Sequence, residues 1–351
     1  MDKLEAGESV LSFRGYLQSK ISDFVSEFKQ SELAADLLAE FIIILSSYQE
    51  EGTHLFPPVF ITEDLDELFN VTKGLDPIVI GSGDQSLETI RRAIKQCAPL
   101  AEWREWAIFV ALKRKALTYG IFRADQSPLN PTPFERLRQV RDPALRIIGL
   151  SRLGGNFVEV RGGFGQFQYV DITGSQEGTS NPIEVIRKFT QIVTRDAPLE
   201  VQSRLQAFYY RVGIEMLHAN HGTLVAVINQ KHGIPAILDD GILLTPRVQI
   251  TRAIEEFSKN ESNDAFQQLF ALNQLIRRMT FMDGITVLDS RGSIVGYNYF
   301  IKSSAINSKH RGSTIGGARR RAFDVLCSNL GEQLLAVVYK SQDGAVDLGS
   351  A

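Results

Sequence analysis

The sequence predicts an α/β chain of the α+β type, in which a C-terminal mixed β-sheet flanked by helices follows an N-terminal α+β domain. Its 351 residues are long for one hydrophobic core and suit two domains. Segments with helical periodicity alternate with short apolar runs typical of strands. A polar segment rich in chain breakers, residues 174–182, is a loop or a boundary. We therefore expect two domains, residues 1–198 and 199–351.

Composition and charge restrict the possible partners. The chain is 44% hydrophobic and 23% charged, which is ordinary for a globular protein, and its formal net charge is -3. This charge provides no general attraction to nucleic acid or to an anionic membrane. We expect neither partner, so any phosphate-binding site must be a local cluster of cations.

Cysteine usage and the first residues indicate a cytoplasmic protein. Cys97 and Cys327 lie far apart in apolar stretches, which favours buried free thiols over a disulfide. The N-terminal residues form no basic leader with a long apolar core. The early apolar run at residues 41–45 is far shorter than the roughly 20 residues that cross a bilayer.

The N-terminal domain opens with apolar residues at helical intervals. Over residues 16–48 this spacing predicts one long amphipathic helix or two shorter ones, packed on the domain. Membrane docking is the alternative, but the polar face is not especially basic. Residues 57–61 predict a strand and residues 62–65 a helix start with acids in the first turn. A strand at residues 77–81 and a helix at residues 86–97 follow.

Two hairpin-like units follow in this domain, at residues 106–122 and 145–172. A loop with three prolines, at residues 128–133, separates them. The glycine-rich residues 161–165 are interpreted as a bulge or tight turn, with a ligand cradle as the alternative.

A helix is predicted at residues 181–197, just before the expected domain boundary. The C-terminal domain combines helices with strongly apolar strands. A helix is predicted at residues 199–218, and the continuous apolar run at residues 222–228 is typical of a strand covered on both faces. The later predicted elements are a helix at residues 262–280 and hairpins at residues 283–301 and 334–348.

The strongest candidate site combines one acid with a run of arginines. An apolar strand within residues 281–288 is expected to carry Asp283 at its end, and a later glycine turn opens a helix with Arg319 to Arg321. A helix N-terminus and guanidinium groups favour phosphate, and a carboxylate suits a divalent metal. Consecutive arginines fan out by about 100° each, so they cannot all point at one ligand. Taken alone, Asp283 could equally be a turn-forming or capping aspartate or a ligand of a metal ion.

These residues resemble the diadenylate cyclase family over roughly residues 205–348. The resemblance depends on the order of an apolar strand at 221–227, the segment 275–285 ending in Asp-Gly-Ile, the segment 317–322, and a strand at 334–338. The family is marked by Asp-Gly-Ala and by Gly-Thr-Arg-His-Arg-Ala at the start of a helix. Residues 97–101 and the following hairpin resemble the probable sensor domains that precede such cyclases.

The resemblance implies a nucleotidyltransferase that condenses two ATP molecules into cyclic di-AMP, under control of the N-terminal domain. Asp283 would be the catalytic residue and the ligand of Mg²⁺ or Mn²⁺. Each domain would hold one ATP, so two cyclase domains would associate face to face. The nucleotide-binding residues implied are Gly284, Ile285, Gly316, Gly317, Ala318, Arg319, Arg320 and Arg321.

The motifs differ from the family pattern at several positions. Ile285 replaces the alanine, Met282 the histidine that commonly precedes the acid, Ala318 a threonine and Arg320 the central histidine. These changes remove a hydroxyl donor and replace a titratable group by a permanent cation. A catalytically degenerate domain that binds a nucleotide and reports it therefore stays as the alternative to an active enzyme. Nucleic-acid binding through the arginines is weaker, because no basic stripe interleaved with aromatic residues is present.

Overall fold

The computed structural model describes residues 13–26, 35–50, 53–55, 57–101, 105–125, 127–142, 144–153, 157–163, 165–171, 181–218, 221–305, 317–342 and 344–351. The chain divides into two compact units. The N-terminal unit comprises Met1–Asp125, Thr132–Arg152 and Asn156–Gln176, and the C-terminal unit comprises Gln126–Pro131, Leu153–Gly155 and Glu177–Ala351. Both units combine helices with a mixed β-sheet, which confirms the predicted α+β class.

The N-terminal unit is built on a seven-stranded sheet. Its described helices are α1 (Phe13–Ser26), α2 (Ala35–Ser47), α3 (Leu65–Thr72), α4 (Leu87–Ala101) and α5 (Pro133–Gln139). Its strands are β1 (Gln49–Glu50), β2 (Thr53–His54), β3 (Val59–Thr62), β4 (Leu75–Asp84), β5 (Trp106–Lys113), β6 (Ala116–Arg123), β7 (Ile147–Arg152), β8 (Phe157–Gly162) and β9 (Phe167–Asp171). The sheet order is β4-β6-β5-β3-β7-β8-β9, with β3 and β5 parallel and the other neighbours antiparallel, while β1 and β2 form a separate ribbon.

Most predicted elements of this unit are present. Residues 16–48 form two helices, α1 and α2, with residues 27–34 outside the described part of the chain. The proline loop is only partly a loop, because Thr132 and Glu135 form a capping box that starts α5 at Pro133. The predicted segment 145–172 is three strands rather than a simple hairpin, and Gly162, Gly163 and Gly165 lie at the end of β8 and in the connection to β9.

The C-terminal unit has a second seven-stranded sheet. Its described helices are α6 (Pro182–Val193), α7 (Leu199–Leu217), α8 (Ile250–Lys259), α9 (Asn263–Phe281) and α10 (Ala318–Cys327), with a 3₁₀ turn at Ser303–Ala305. Its strands are β10 (Thr223–Ile228), β11 (Leu238–Asp239), β12 (Ile242–Gln249), β13 (Ile285–Asp289), β14 (Ser293–Ile301), β15 (Leu334–Lys340) and β16 (Val346–Ser350). The order is β11-β14-β13-β10-β15-β16, and β12 also pairs with β14. Only β10 and β13 are parallel among the described pairs of this sheet.

Strand β10 lies in the middle of this sheet and is buried along its whole length, which confirms the prediction made from its continuous apolar run. Its alternate residues enter two different cores. Val225 and Val227 pack in the core that contains residues of α7 and α9, whereas Leu224 and Ala226 pack in the core that contains α10. The sheet therefore has helices on both faces.

Two features of the C-terminal unit differ from the sequence-based expectation. No prediction covered residues 229–261, which form β11, β12 and α8. Asp283 is not part of a strand, because α9 ends at Phe281 and β13 begins only at Ile285. The acid that ends the strand is Asp289.

Two further findings concern the whole of the described chain. Cys97 and Cys327 are both free thiols, the first buried and the second half-buried. Burial raises the pKa of the Cys97 thiol to about 12, so the thiolate is scarce near neutral pH. None of the described helices combines the length and apolar character needed to cross a membrane.

Candidate functional site

A cavity of about 710 Å³ lies at one end of the C-terminal sheet. Its walls come from Gly222 before β10, Ile285 at the start of β13, Lys340 at the end of β15, and the first turn of α10. Because β10 and β13 are parallel, their amino ends open at the same edge of the sheet. The cavity is therefore at the amino end of the parallel pair.

The cavity gathers nearly all of the residues that the sequence singled out. Asp283 and Arg319, which are separated by 36 positions in the chain, form an ion pair in which Arg319 Nη2 donates to Asp283 Oδ1 at 2.6 Å. The candidate residues that line the cavity are Asp283, Gly284, Ile285, Gly317, Ala318, Arg319, Arg320 and Arg321. Gly316, the remaining candidate, lies outside the described residues.

Asp283 is held at the rim by the connection between α9 and β13. Met282 caps α9 in an extended conformation, which turns the chain out of the helix. Gly284 has φ +92°, and a β-carbon there would lie 2.9 Å from the Asn298 backbone, so only glycine fits. The Asp283 side chain is 86% exposed. Its carboxylate is therefore open to a ligand in the cavity.

The N-terminus of α10 forms the facing wall. Gly317 is the N-cap, and having no side chain it supplies no acceptor for the first-turn amides. The described first turn also contains no acidic residue. Such a terminus attracts an anion through its amide groups and the helix dipole.

The three arginines point in different directions, as the helical geometry predicts. Arg319 reaches Asp283, whereas Arg320 pairs with Asp347 on β16 and with Asp324 on its own helix. Arg321 is exposed and also lines the cavity. The motif therefore does not present three equivalent cations.

Lys340 is a cavity residue that the sequence analysis did not propose. It is 1% exposed, and its Nζ donates to the carbonyl oxygens of His221 and Ser341 at 3.1 and 3.3 Å. The available signal was a lysine at the end of an otherwise apolar strand. Its bonds hold the loop before β10, where Gly222 lies against the Arg319 side chain: a β-carbon at Gly222 would be 3.3 Å from Arg319 Cδ.

The cavity is cationic although the chain is not. Its described lining residues include four cations and one carboxylate, Asp283, while the formal charge of the chain is -3. The remaining lining is largely apolar and includes Leu224, Ile285 and Val325. Such a combination suits a ligand with a polyanionic part and an apolar, flat part.

A metal ion in this cavity would need ligand atoms both from the chain and from a bound phosphate compound. In the part of the chain that the structure describes, no group of three or more His, Cys, Asp and Glu side chains is placed to hold a metal ion. Among the described residues that line the cavity, Asp283 is the one that offers an exposed carboxylate. One carboxylate together with phosphate oxygens is a common Mg²⁺ arrangement, so the residues fit an ion that enters with a triphosphate.

The opposite end of β13 is closed by a second ion pair. Asp289 is 3% exposed in its side chain, and Arg247 Nη1 donates to its Oδ2 at 3.0 Å. The backbone amides of Arg291 and Ser293 donate to Oδ1. The carboxyl ends of parallel strands, where open α/β sheets commonly bind ligands, are thus filled by protein groups.

No family model, curated protein or solved structure matches this chain.

Proposed function

We propose that the cavity of the C-terminal unit binds ATP and that the protein condenses two ATP molecules into cyclic di-AMP or a related cyclic dinucleotide. The observation that supports this proposal best is the meeting of Asp283 and Arg319 in a cationic cavity at a helix N-terminus. The mixed sheet with helices on both faces is also of the kind that the family resemblance implies.

The reaction makes modest demands on the protein. The 3′-hydroxyl oxygen of one ATP forms a bond to the α-phosphorus of the other, the bond to the β-phosphate breaks, and pyrophosphate leaves with the electron pair. The hydroxyl proton passes to a base or to water. A second, reciprocal transfer closes the ring, so two ATP give one cyclic product and two pyrophosphates. The protein must align the reactants and stabilise the phosphate charge.

The cavity residues divide these tasks. Arg319 and Arg321, with the amides at the start of α10, bind the phosphates that leave. Lys340 fixes the loop against which Arg319 lies. Asp283 orients the attacking hydroxyl and accepts its hydrogen bond, and it is the residue that would hold Mg²⁺ or Mn²⁺. When bound, such an ion supplies positive charge to the triphosphate.

One cavity of this size and charge suits one nucleotide, so the enzyme requires two C-terminal units to meet face to face. We further propose that the N-terminal unit senses a signal and controls this encounter. Light scattering of the full chain, with and without a non-hydrolysable ATP analogue, tests the association. A strict monomer under turnover conditions contradicts the cyclase.

A nucleotide receptor without turnover is the second candidate. Two observations favour it. The carboxylate of Asp283 is already paired with Arg319 in this structure. Arg320, which stands where the diadenylate cyclase family has a histidine, is paired with two carboxylates. The receptor shares the phosphate contacts of the cyclase but not the alignment of a second nucleotide.

Product analysis separates the two candidates. Purified protein is incubated with ATP and Mg²⁺ or Mn²⁺, and nucleotides are separated and identified by mass. A cyclic dinucleotide that disappears in Asp283→Asn but not in Asp264→Asn, an exposed aspartate in the first turn of α9, supports catalysis. Tight ATP binding without product supports the receptor. Absence of both binding and product contradicts the proposal.

A further inference from the structure

The middle arginine of the run has partners of its own. Arg320 Nη1 donates to Asp347 Oδ2, and its Nε lies 3.3 Å from Asp324 Oδ1. Its guanidinium carbon lies 5.2 Å from the ring centre of Phe323 and 5.5 Å from that of Tyr339. Arg320 is therefore held by ionic and cation–π contacts at once.

These contacts join the helix to two strands. Phe323 and Asp324 belong to α10, Tyr339 to β15, and Asp347 to β16. Tyr339 and Asp347 are direct cross-strand partners, so a single side chain reaches both strands at one level of the sheet. Phe323 also packs on Tyr339, with ring centres 5.5 Å apart. Arg320 thus fixes the first turn of α10 over the β15–β16 pair.

The electrostatics of this cluster disfavour a phosphate contact. Partial burial lowers the pKa of Arg320, but the hydrogen bond and charge of Asp347, together with the charges of Asp324 and Tyr339, raise it above its usual value. A phosphate approaching Arg320 would also approach the carboxylates of Asp347 and Asp324, which repel it. Arg319, paired with one exposed carboxylate, does not carry this double penalty.

We propose that Arg320 is a positioning residue, which clamps α10 through Asp347 so that Arg319 and Arg321 face the cavity. This inference rests on the proposed phosphate binding, and it assigns Arg320 a role different from the direct nucleotide contact that the sequence suggests. Asp347, which does not line the cavity, becomes part of the site through Arg320.

The test uses inorganic tripolyphosphate as the probe and calorimetric titration of the full chain. Arg320→Gln and Asp347→Asn should each lower the affinity by roughly three- to fivefold. The double variant should bind no more weakly than either single variant, because both substitutions remove the same ion pair. A direct phosphate contact predicts the opposite sign for Asp347→Asn, since releasing Arg320 from its carboxylate would strengthen binding. Unchanged affinity in folded variants also overturns the proposal.

Two controls separate positioning from general stability. Arg252→Gln removes an exposed i,i+4 arginine–glutamate pair on α8, outside the cavity, and should leave the affinity unchanged. The fall of affinity with NaCl should be the same in Asp347→Asn as in the unmodified chain, because no phosphate contact is lost. A weaker salt dependence in Asp347→Asn contradicts the clamp.

Hydrogen exchange distinguishes failure of the clamp from failure of the proposed function. In the ligand-free protein, amides of α10 should exchange faster in Asp347→Asn than in the unmodified chain. If the unmodified chain binds no tripolyphosphate, the proposed phosphate binding is wrong. The exchange result alone then decides whether Arg320 and Asp347 hold α10 in place. Unchanged exchange over α10 in both Arg320→Gln and Asp347→Asn overturns it.

Discussion

Strand β13 is flanked by a carboxylate–guanidinium pair at each end, and the two pairs differ in burial and in bonding. Asp289, at the carboxyl end, is buried and accepts from Arg247 and from two backbone amides. Asp283, before the amino end, is exposed, and its described partner is Arg319. The same chemical groups therefore complete the fold at one end and leave binding capacity at the other.

The partners of the two arginines show the same contrast. Arg247 also donates to the carbonyl oxygens of Gln230 and His232, so it ties β12 to the segment after β10. Arg319 lies beside Gly222 in the cavity. An ion pair is thus a poor indicator of a site until its burial and its remaining hydrogen bonds are known.

The largest expected effect is on stability at the closed end. Asp289→Ala removes the buried carboxylate that accepts from Arg247 and from two backbone amides, which should cost about 3 kcal/mol of unfolding free energy. Asp283→Ala should stay within about 0.5 kcal/mol, as is usual for exposed sites. Urea unfolding of both variants measures the difference. Equal losses would remove the distinction between the two ends.

For ligand affinity, in contrast to stability, the substitution of Arg319 at the cavity should have a larger effect than that of Arg247 at the other end of β13. Arg319→Gln should weaken binding of a non-hydrolysable ATP analogue by roughly 10- to 100-fold, the usual range for a hydrogen bond to a charged group. Arg247→Gln should destabilise the fold and leave the affinity of the folded protein nearly unchanged. Calorimetric titration of both variants tests this, and a comparable loss of affinity in Arg247→Gln contradicts the assignment of the cavity.

The closed end should also respond to alkaline pH. Tyr209 is fully buried and donates to the Gly292 carbonyl oxygen, and burial, with the charge of Asp289, raises its pKa well above 10.0. The folded state then keeps a proton that the unfolded state loses. Stability is fully present below pH 10 and falls above it, by up to about 1.4 kcal/mol per pH unit. Urea unfolding at increasing pH should show a smaller alkaline loss in Tyr209→Phe, and an equal loss in both proteins opposes this account.

The smallest expected effect comes from salt. Raising NaCl from about 0.05 M to about 0.5 M should weaken the binding of tripolyphosphate several-fold, because salt screens the exposed charges of the cavity at the Asp283 end of β13. The stability difference between Asp289→Ala and the unmodified chain should change little, since buried pairs are screened less. Titration and urea unfolding at both concentrations measure the two responses. Salt-independent tripolyphosphate binding would indicate that the cavity cations do not contact it.

Much of this architecture follows from local sequence pattern. The apolar run of β10 and the turn residues between β13 and β14 and between β15 and β16 are strong signals, and the strands they predict are present. Strand β12 escaped prediction because Pro246 interrupts it and its consecutive apolar residues at 242–244 do not alternate with polar ones. Asp283 was misplaced because Phe281 and Met282, at the end of the helix, are apolar and blend into the apolar residues of β13.

The candidate site could be predicted in its parts but not in its connections. The acid and the arginines are visible in the sequence because of their residue types and the glycines beside them. The roles of Asp347 and Lys340 are not visible, because they depend on strand register and on a buried cation that bonds to a carbonyl oxygen far away in the chain. Local pattern carries no information on such long-range pairs.

The most direct test of the central claim is hydrogen exchange of the full chain with and without α,β-methylene ATP and Mg²⁺. Both ends of β13 are then observed in one experiment. We predict slower exchange at residues 283–285 and 317–322, which border the cavity, and no change at residues 289–293. Protection confined to residues 289–293, or no protection in either region, would contradict nucleotide binding at the open end.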